Sequence, residues 1–275
     1  VSIPLILFPH LWLIHTNVLH ESLDSGLFIL SLLLFNYFLD NKKKYFYFIL
    51  TFLFLSLAIF NFIGILLWTP AFIGLAILKS KKNDLKANLI LSLAVIIFSF
   101  LIGIGGLWFL LSFVEAINPA VCLKNLLFGY GSGGIFTNWS FLNFLRIIRN
   151  NFLILLHGYS LGAILGLFIG IFYLINKKKY LLLIFLLSFF LPFFISGKFW
   201  YGGLFGRYAI LVAYPLSLIL ALIPWRKIYV FLIILLMGGF VPVLLVYQKE
   251  PIAEVQRNLI KTINLQENDL LVLSD

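Results

Sequence analysis

The stretch Glu21-Ser22-Leu23-Asp24-Ser25-Gly26-Leu27-Phe28-Ile29-Leu30-Ser31-Leu32-Leu33-Leu34-Phe35-Asn36-Tyr37-Phe38-Leu39-Asp40-Asn41-Lys42-Lys43-Lys44 decides the fold class. It enters an apolar run through two carboxylates and leaves it through three lysines. The run from about residue 22 to 40 falls within the roughly 17–25 residues that a membrane helix needs. Asp40 and Asp84 lie beside lysine clusters, where a salt bridge accounts for them. Glu21 and Asp24 have no basic neighbour in sequence and need another account.

Composition carries the same reading to the whole chain. The protein is 63% hydrophobic and only 11% charged, with 31 Phe, and its mean hydropathy is +1.10. Soluble domains average about 45–50% apolar and about 25% charged residues. A globule this apolar would have almost no polar surface, so the bilayer is its solvent. The net charge of +10 does not point to nucleic acid, because the basic residues come in short clusters between apolar runs rather than on one basic face. Cys122 is the single cysteine and excludes an internal disulfide.

Apolar runs of spanning length recur at about 22–40, 45–61, 62–78, 88–111, 151–175, 180–197, 208–224 and 228–247. The second and third join at Asn61-Phe62 as a tight hairpin or as one long broken element. Val1 to Phe8 reads as the tail of a further span, so the chain is expected to be an internal piece of a longer protein. Clusters at Lys42 to Lys44, at Lys79, Lys81, Lys82 and Lys86, at Lys177 to Lys179, and at Arg226 with Lys227 follow the first, third, fifth and seventh spans. Eight spans place all four clusters on one side, which the positive-inside rule makes cytoplasmic. The expected fold is therefore an all-α polytopic membrane protein of about eight transmembrane helices plus a partial one. The domain expected over 1–247 is transmembrane. After Tyr247, Ile252, Val255, Leu259 and Ile263 recur at helical spacing. The run Leu270 to Leu273 follows, so 248–275 reads as the start of an extracytoplasmic α/β domain.

This topology puts 9–21, the Asn61 turn, the loop 112–150, the segment 198–207 and the tail outside. The outer segments are the longer and more varied ones, and irregular polar chain is where function concentrates. Gly129-Tyr130-Gly131-Ser132-Gly133-Gly134 reads as a mobile turn or an anion-approaching one. It lacks the Lys-Ser/Thr of a phosphate loop. Phe141 to Asn150, with Arg146 and Arg149, reads as a helix lying in the interface.

Candidate chemistry falls on two outer constellations. Glu21 and Asp24 are candidate catalytic carboxylates, because ionisable groups at the edge of a span are costly and functional by default. Asp24 or Ser22 could instead cap the helix over 25–39. His20 and Asp24 stand at i, i+4 and leave room for a divalent cation, whereas His10, His15 and His20 are five apart and share no helical face. The second constellation, Lys198 to Tyr208, sets two cations outside the membrane against the orientation rule. Lys198 and Arg207 suit a lipid phosphate, since a guanidinium binds phosphate bidentately, or they anchor headgroups.

Pro9-His10-Leu11-Trp12 through Glu21-Ser22-Leu23-Asp24, followed by a Leu/Phe-rich span and a lysine turn, resembles the central part of polytopic GT-C glycosyltransferases. The nearer resemblance is to the dolichyl-phosphate-mannose–protein mannosyltransferase-like and aminoarabinose-transferase-like families. Gly206-Arg207-Tyr208-Ala209-Ile210-Leu211-Val212-Ala213-Tyr214-Pro215-Leu216 resembles their Arg-Tyr, apolar, Pro stretch opening a late helix. Glu267 to Leu273 is similar to the start of their C-terminal domain. The resemblance implies sugar transfer, with inversion, from a polyprenyl-phosphate donor to an acceptor on the outer face of the cell membrane. It maps Glu21 to a secondary acidic position and Arg207 and Tyr208 to the late motif as donor-binding residues; His20 and Lys198 are substrate-binding candidates from their own place in the sequence, not from the resemblance. It places the principal acid in an outer loop upstream of Val1. The runner-up is a transporter or flippase of a lipid-linked or amphiphilic substrate, which internal repeats and broken helices would favour.

Overall fold

The computed structural model describes residues 20–42, 44–81, 83–114, 118–128, 140–192, 196 and 211–223, with 228, 230, 232, 233 and 235; the side chains of 20–22, 157 and 158 are not described. All of these residues lie in the first of two units, Val1–Gly239. The α/β segment expected over 248–275 lies outside the described residues, as do the 129–134 turn and most of the 228–247 span.

Secondary structure among the described residues is helical, without strands. The helices are α1 His20–Asp40, α2 Tyr45–Asn61, α3 Pro70–Lys79, α4 Leu85–Ser112, α5 Pro119–Phe128, α6 Phe141–Asn176, α7 Tyr180–Ser188 and α8 Ala213–Ala221. Among the described residues, three helical stretches, Leu23–Asp40, Leu85–Ser112 and Tyr159–Asn176, are long and apolar enough to cross a membrane. The 28 residues of α4 span about 42 Å, more than the roughly 30 Å of a hydrocarbon core. Its outward face exposes Ile90, Leu93, Ile97, Phe98, Leu101, Ile102, Trp108 and Phe109. An apolar face of that length is matched by lipid, not by water.

Several spans are interrupted, and proline explains two of the interruptions. The run expected over 62–78 is a 3₁₀ segment, Ile63–Trp68, followed by α3. Pro70 has no N–H to offer the Leu66 carbonyl. Thr69 takes it instead, through its N–H at 3.3 Å and its hydroxyl at 2.7 Å. Likewise α7 ends at Ser188 rather than near 197, because the ring of Pro192 excludes an α-helical carbonyl four residues back. The loop expected over 112–150 contains α5, begun by Asn118, whose Oδ1 accepts from Ala120 N at 3.0 Å, and by Pro119 at the first helical position. The interfacial helix expected over 141–150 and the span over 151–175 are one helix, α6, capped by Ser140, whose Oγ accepts from Asn143 N at 3.2 Å. Its break comes later, at Ser160 (φ 72°, ψ 165°).

Register fixes which ends lie together. Phe28 and Phe35 of α1 meet Phe72 of α3 at ring-centroid distances of 5.7 and 5.5 Å. Further along both helices, Asp40 accepts from Lys79 Nζ at 2.8 Å. The two helices therefore run parallel. Ser99 Oγ of α4 donates to the Phe52 carbonyl of α2 at 3.3 Å. Beyond it Gly103 faces Ile59 and Gly106 faces Phe60, so α2 and α4 are parallel too. The cluster after α1 and the cluster after α3 consequently share one end of the bundle. Asp40 is 52% exposed, so its ion pair is worth roughly 0–1 kcal/mol and marks the register more than it stabilises it.

The core is aromatic where α1, α3 and the end of α7 converge. Phe28 meets Phe189 edge-on at 6.5 Å, and Phe189 meets Phe185 at 5.6 Å. In lipid such packing, with small residues at close crossings, replaces the hydrophobic drive available in water. Gly166 and Gly170 of α6 allow α8 to approach, with Leu220 and Ile219 filling the space a Cβ would take.

The turn after α6 adds a separate device. Lys178 has φ 55°. The Lys178 N–H donates to Ile175 O and that of Lys179 to Leu174 O, both at 2.9 Å, which is the Schellman pattern that usually carries glycine. A side chain there costs about 1–2 kcal/mol. Lys178→Gly is expected to raise the thermal unfolding midpoint in detergent and Lys178→Val to lower it; unchanged midpoints in both would contradict the left-handed turn.

Candidate functional site

Most polar side chains buried in the bundle are satisfied within their own helix. Ser31 donates to Phe28 O, Thr51 to Tyr47 O, Ser56 to Phe52 O, Ser92 to Leu89 O and Ser217 to Ala213 O, all at 2.7–2.8 Å. Such back-bonding makes a hydroxyl inert inside an apolar helix and leaves no chemistry to explain.

A different set gathers at the end of the bundle opposite the first two lysine clusters. Asp24 is 1% exposed and Ser25 is equally buried, as are Asn151, Tyr159, Ser160 and Ser196. Of the three carboxylates whose side chains are described, Asp24, Asp40 and Asp84, only Asp24 is buried. Burying a carboxylate is costly unless hydrogen bonds, an opposite charge or a proton offset the lost hydration. A chain folding for packing alone would place leucine there.

Three elements build the cluster. α1 brings Asp24 and Ser25 in its second turn. The break in α6 brings Tyr159 and Ser160, and the first turn of α8 brings Tyr214. Ser25 and Tyr214 are hydrogen-bonded through their side chains. Tyr159 hydrogen-bonds the backbone of Ala213 and is close enough to Tyr214 to act on it electrostatically. Separately, Asn151 Nδ2 donates to the Ser196 carbonyl at 3.1 Å, tying α6 to the chain just beyond Pro192.

Ser160 is unusual twice over. Its φ of 72° is a left-handed value that costs of order 1–3 kcal/mol for a residue with a Cβ. Its Oγ is also buried with no hydrogen-bond partner among the described residues. No proline accompanies the break; Gly158 and Gly162 flank it.

These positions bear on the sequence expectations one by one. α1 begins at His20, four residues before Asp24, so Asp24 and Ser22 lie inside the helix and neither is its N-cap. Capping no longer explains Asp24. The backbone of His20 and Glu21 opens α1, and their side chains lie outside the described residues. Lys198, Arg207 and Tyr208 also lie outside them. Among the described residues, no three His, Cys, Asp or Glu side chains gather as a metal set. Sequence reasoning missed Tyr159, Ser160 and Tyr214. The Gly-Tyr-Ser-Leu-Gly pattern of 158–162 was the one visible signal, since paired glycines permit a helix to break.

No family model, curated protein or solved structure matches the chain.

The Ser25–Tyr214 hydrogen bond joins α1 to α8, with Ser25 buried. Ser25→Ala and Tyr214→Phe are each expected to destabilise the protein by about 1–3 kcal/mol. Together they should cost less than the sum, with a coupling of about 0.5–3 kcal/mol. Strictly additive losses in a denaturation series would show that the two hydroxyls act separately.

Proposed function

We propose that this chain is the membrane part of a glycosyltransferase that moves a sugar from a polyprenyl-phosphate donor to an acceptor on the extracytoplasmic face of the cell membrane. The observation that carries the reading is the buried carboxylate of Asp24, next in sequence to Ser25, which hydrogen-bonds Tyr214. Two of the stretches that resemble GT-C enzymes, 9–24 and 206–216, are far apart in sequence, and the Ser25–Tyr214 bond brings the end of one beside the other. A donor whose tail stays in the bilayer needs its reacting carbon at the membrane edge, and this reading sets the cluster at that level.

In the reaction so assigned, the acceptor hydroxyl gives its proton to a carboxylate, with Asp24 and Glu21 as candidates on this chain. The acceptor oxygen bonds to the anomeric carbon from the face opposite the phosphate. The bond from that carbon to the phosphate oxygen breaks, and polyprenyl phosphate leaves with the electron pair. General-base assistance of this kind contributes about 10²–10⁴-fold. Lys198, Arg207 and Tyr208 are assigned to the donor phosphate, where fixed cations would stabilise the leaving charge.

The topology proposed with it has eight spans, with the lysine clusters cytoplasmic. The parallel registers of α1 with α3 and of α2 with α4 support its first four passages. A second reading, a flippase of a lipid-linked substrate, draws support from the helix breaks before Pro70 and at Ser160, since transporters bind at interrupted helices.

Transfer from a radiolabelled polyprenyl-phosphate sugar separates the two readings. Asp24→Asn in the full-length protein is expected to reduce transfer about 10²–10⁴-fold with unchanged membrane insertion, and Glu21→Gln to reduce it as well. Full transfer by both variants would defeat the carboxylate assignment. Movement of the intact lipid-linked sugar across vesicles, with no bond cleaved, would favour the flippase.

A further inference from the structure

We propose that the turns after α1, α3 and α6 form one cationic face at the end of the bundle away from Asp24, and that this face binds the headgroups of anionic phospholipids. The inference does not require glycosyl transfer, and it holds for whichever leaflet the face meets.

The fold brings the third turn to the first two. From Asp24 to Asp40, α1 rises about 24 Å. The second segment of α6 starts beside Tyr159, in the same cluster as Tyr214 and Ser25, and rises about as far by Asn176. α7 then returns. Phe72 of α3 and Phe189 of α7 both meet Phe28, while two residues further along α3 Gly74 faces the earlier Phe185 and Ser188. α7 therefore runs antiparallel to α3, and its start stands with the end of α3. Lys177 to Lys179 join Lys79 and Lys81 at one end of the bundle.

Charge accumulates there without being neutralised. Lys79 is paired with Asp40. Among the described residues, Lys42 and Lys44 in the first turn, Lys81 in the second and the three lysines of the third have no carboxylate partner. Orientation in the membrane accounts for lysines in such turns, and the dipole of α6 favours cations at its C-terminus. Neither accounts for Lys178. Its φ of 55° is the left-handed value that glycine ordinarily fills, and its side chain is exposed, so packing does not repay the strain. Glycine at 178, flanked by Lys177 and Lys179, would serve orientation and dipole at lower cost. Backbone strain is retained where the side chain is used. An exposed ammonium in a field of like charge is used by an anion from outside the protein.

The reach of the turns narrows the partner. They are the short segments 41–44, 80–84 and 177–179, each held between apolar helices, so the ammonium groups stay close to the ends of those helices. Tyr45 and Tyr180 follow Lys44 and Lys179 directly, and both are exposed, as is Tyr37 in the last turn of α1. Tyrosines beside lysines at helix ends mark the headgroup level of a bilayer. Lysines held there meet lipid phosphate, and clusters of them select anionic lipid.

Titration of the full-length protein in a neutral detergent with short-chain phosphatidylglycerol, short-chain phosphatidylcholine, inorganic phosphate and a polyglutamate peptide tests the proposal. Phosphatidylglycerol is expected to bind more tightly than the other three, and more weakly as salt rises, because the contact is between exposed charges. Lys178→Gly should raise the thermal midpoint of the lipid-free protein and yet weaken phosphatidylglycerol binding about fivefold, the weight of one lysine at a charged bilayer surface. Lys178→Arg keeps both charge and strain and should bind as the wild type does. Lys81→Gln should weaken binding by a similar factor, since the turns act as one face. Equal binding of the two phospholipids, or wild-type affinity in both Lys178→Gly and Lys81→Gln, overturns the proposal. Preference for polyglutamate would make an acidic protein segment the partner, and inorganic phosphate binding as tightly as phosphatidylglycerol would leave a general anion site; either result also overturns it.

Discussion

The structure depends on one constraint: in a bilayer, a polar group withdrawn from water must find its partner within the protein. Where that constraint is met locally, the helices are inert. Serines and threonines along α1, α2, α4 and α8 return their hydroxyls to the preceding turn, and lipid sees an apolar cylinder. The same constraint explains how a span survives proline. At Pro70 the freed carbonyl of Leu66 is taken by the Thr69 hydroxyl, so the 3₁₀ segment passes into α3 with that acceptor satisfied.

Against that background, the cluster around Asp24 stands out physically. A carboxylate at 1% exposure and a left-handed serine with an unengaged hydroxyl both cost free energy, and neither improves packing. Residues that cost stability in a bilayer mark substrate and ion paths more often than scaffolding. The cluster lies at the end of the bundle away from the first lysine turns, so the end that orients the protein and the end with chemistry-bearing side chains are separate.

Much of the architecture was legible in the sequence because hydropathy and lysine position are one-dimensional signals. The bounds of α1 and α2 follow from where apolar runs meet Lys42 and Asn61. The matching ends of α1 and α3 follow from the positive-inside count, which the Asp40–Lys79 pair supports. Conformational events inside apolar chain were less legible. Arg146 and Arg149 interrupt the hydropathy of α6 without interrupting its helix, so the boundary was drawn near 150. The true break at Ser160 leaves no trace in hydropathy. The end of α7 was available in Pro192. The role of Asp24 was misread as a possible cap because a helix start cannot be placed within a turn from composition. Tyr214 lay within a stretch already singled out, but only the fold brings it to Ser25.

The proposed topology turns the Asp24 end of the bundle outward and the lysine turns toward the cytoplasm. Labelling of intact cells with a membrane-impermeant maleimide tests this directly, using single cysteines in a Cys122→Ser background. Val114→Cys, just past the end of α4 away from the lysines, should be labelled on intact cells. Asp84→Cys and Lys178→Cys should be labelled only after lysis. Labelling of Asp84→Cys on intact cells with protection of Val114→Cys would invert the bundle and contradict the account.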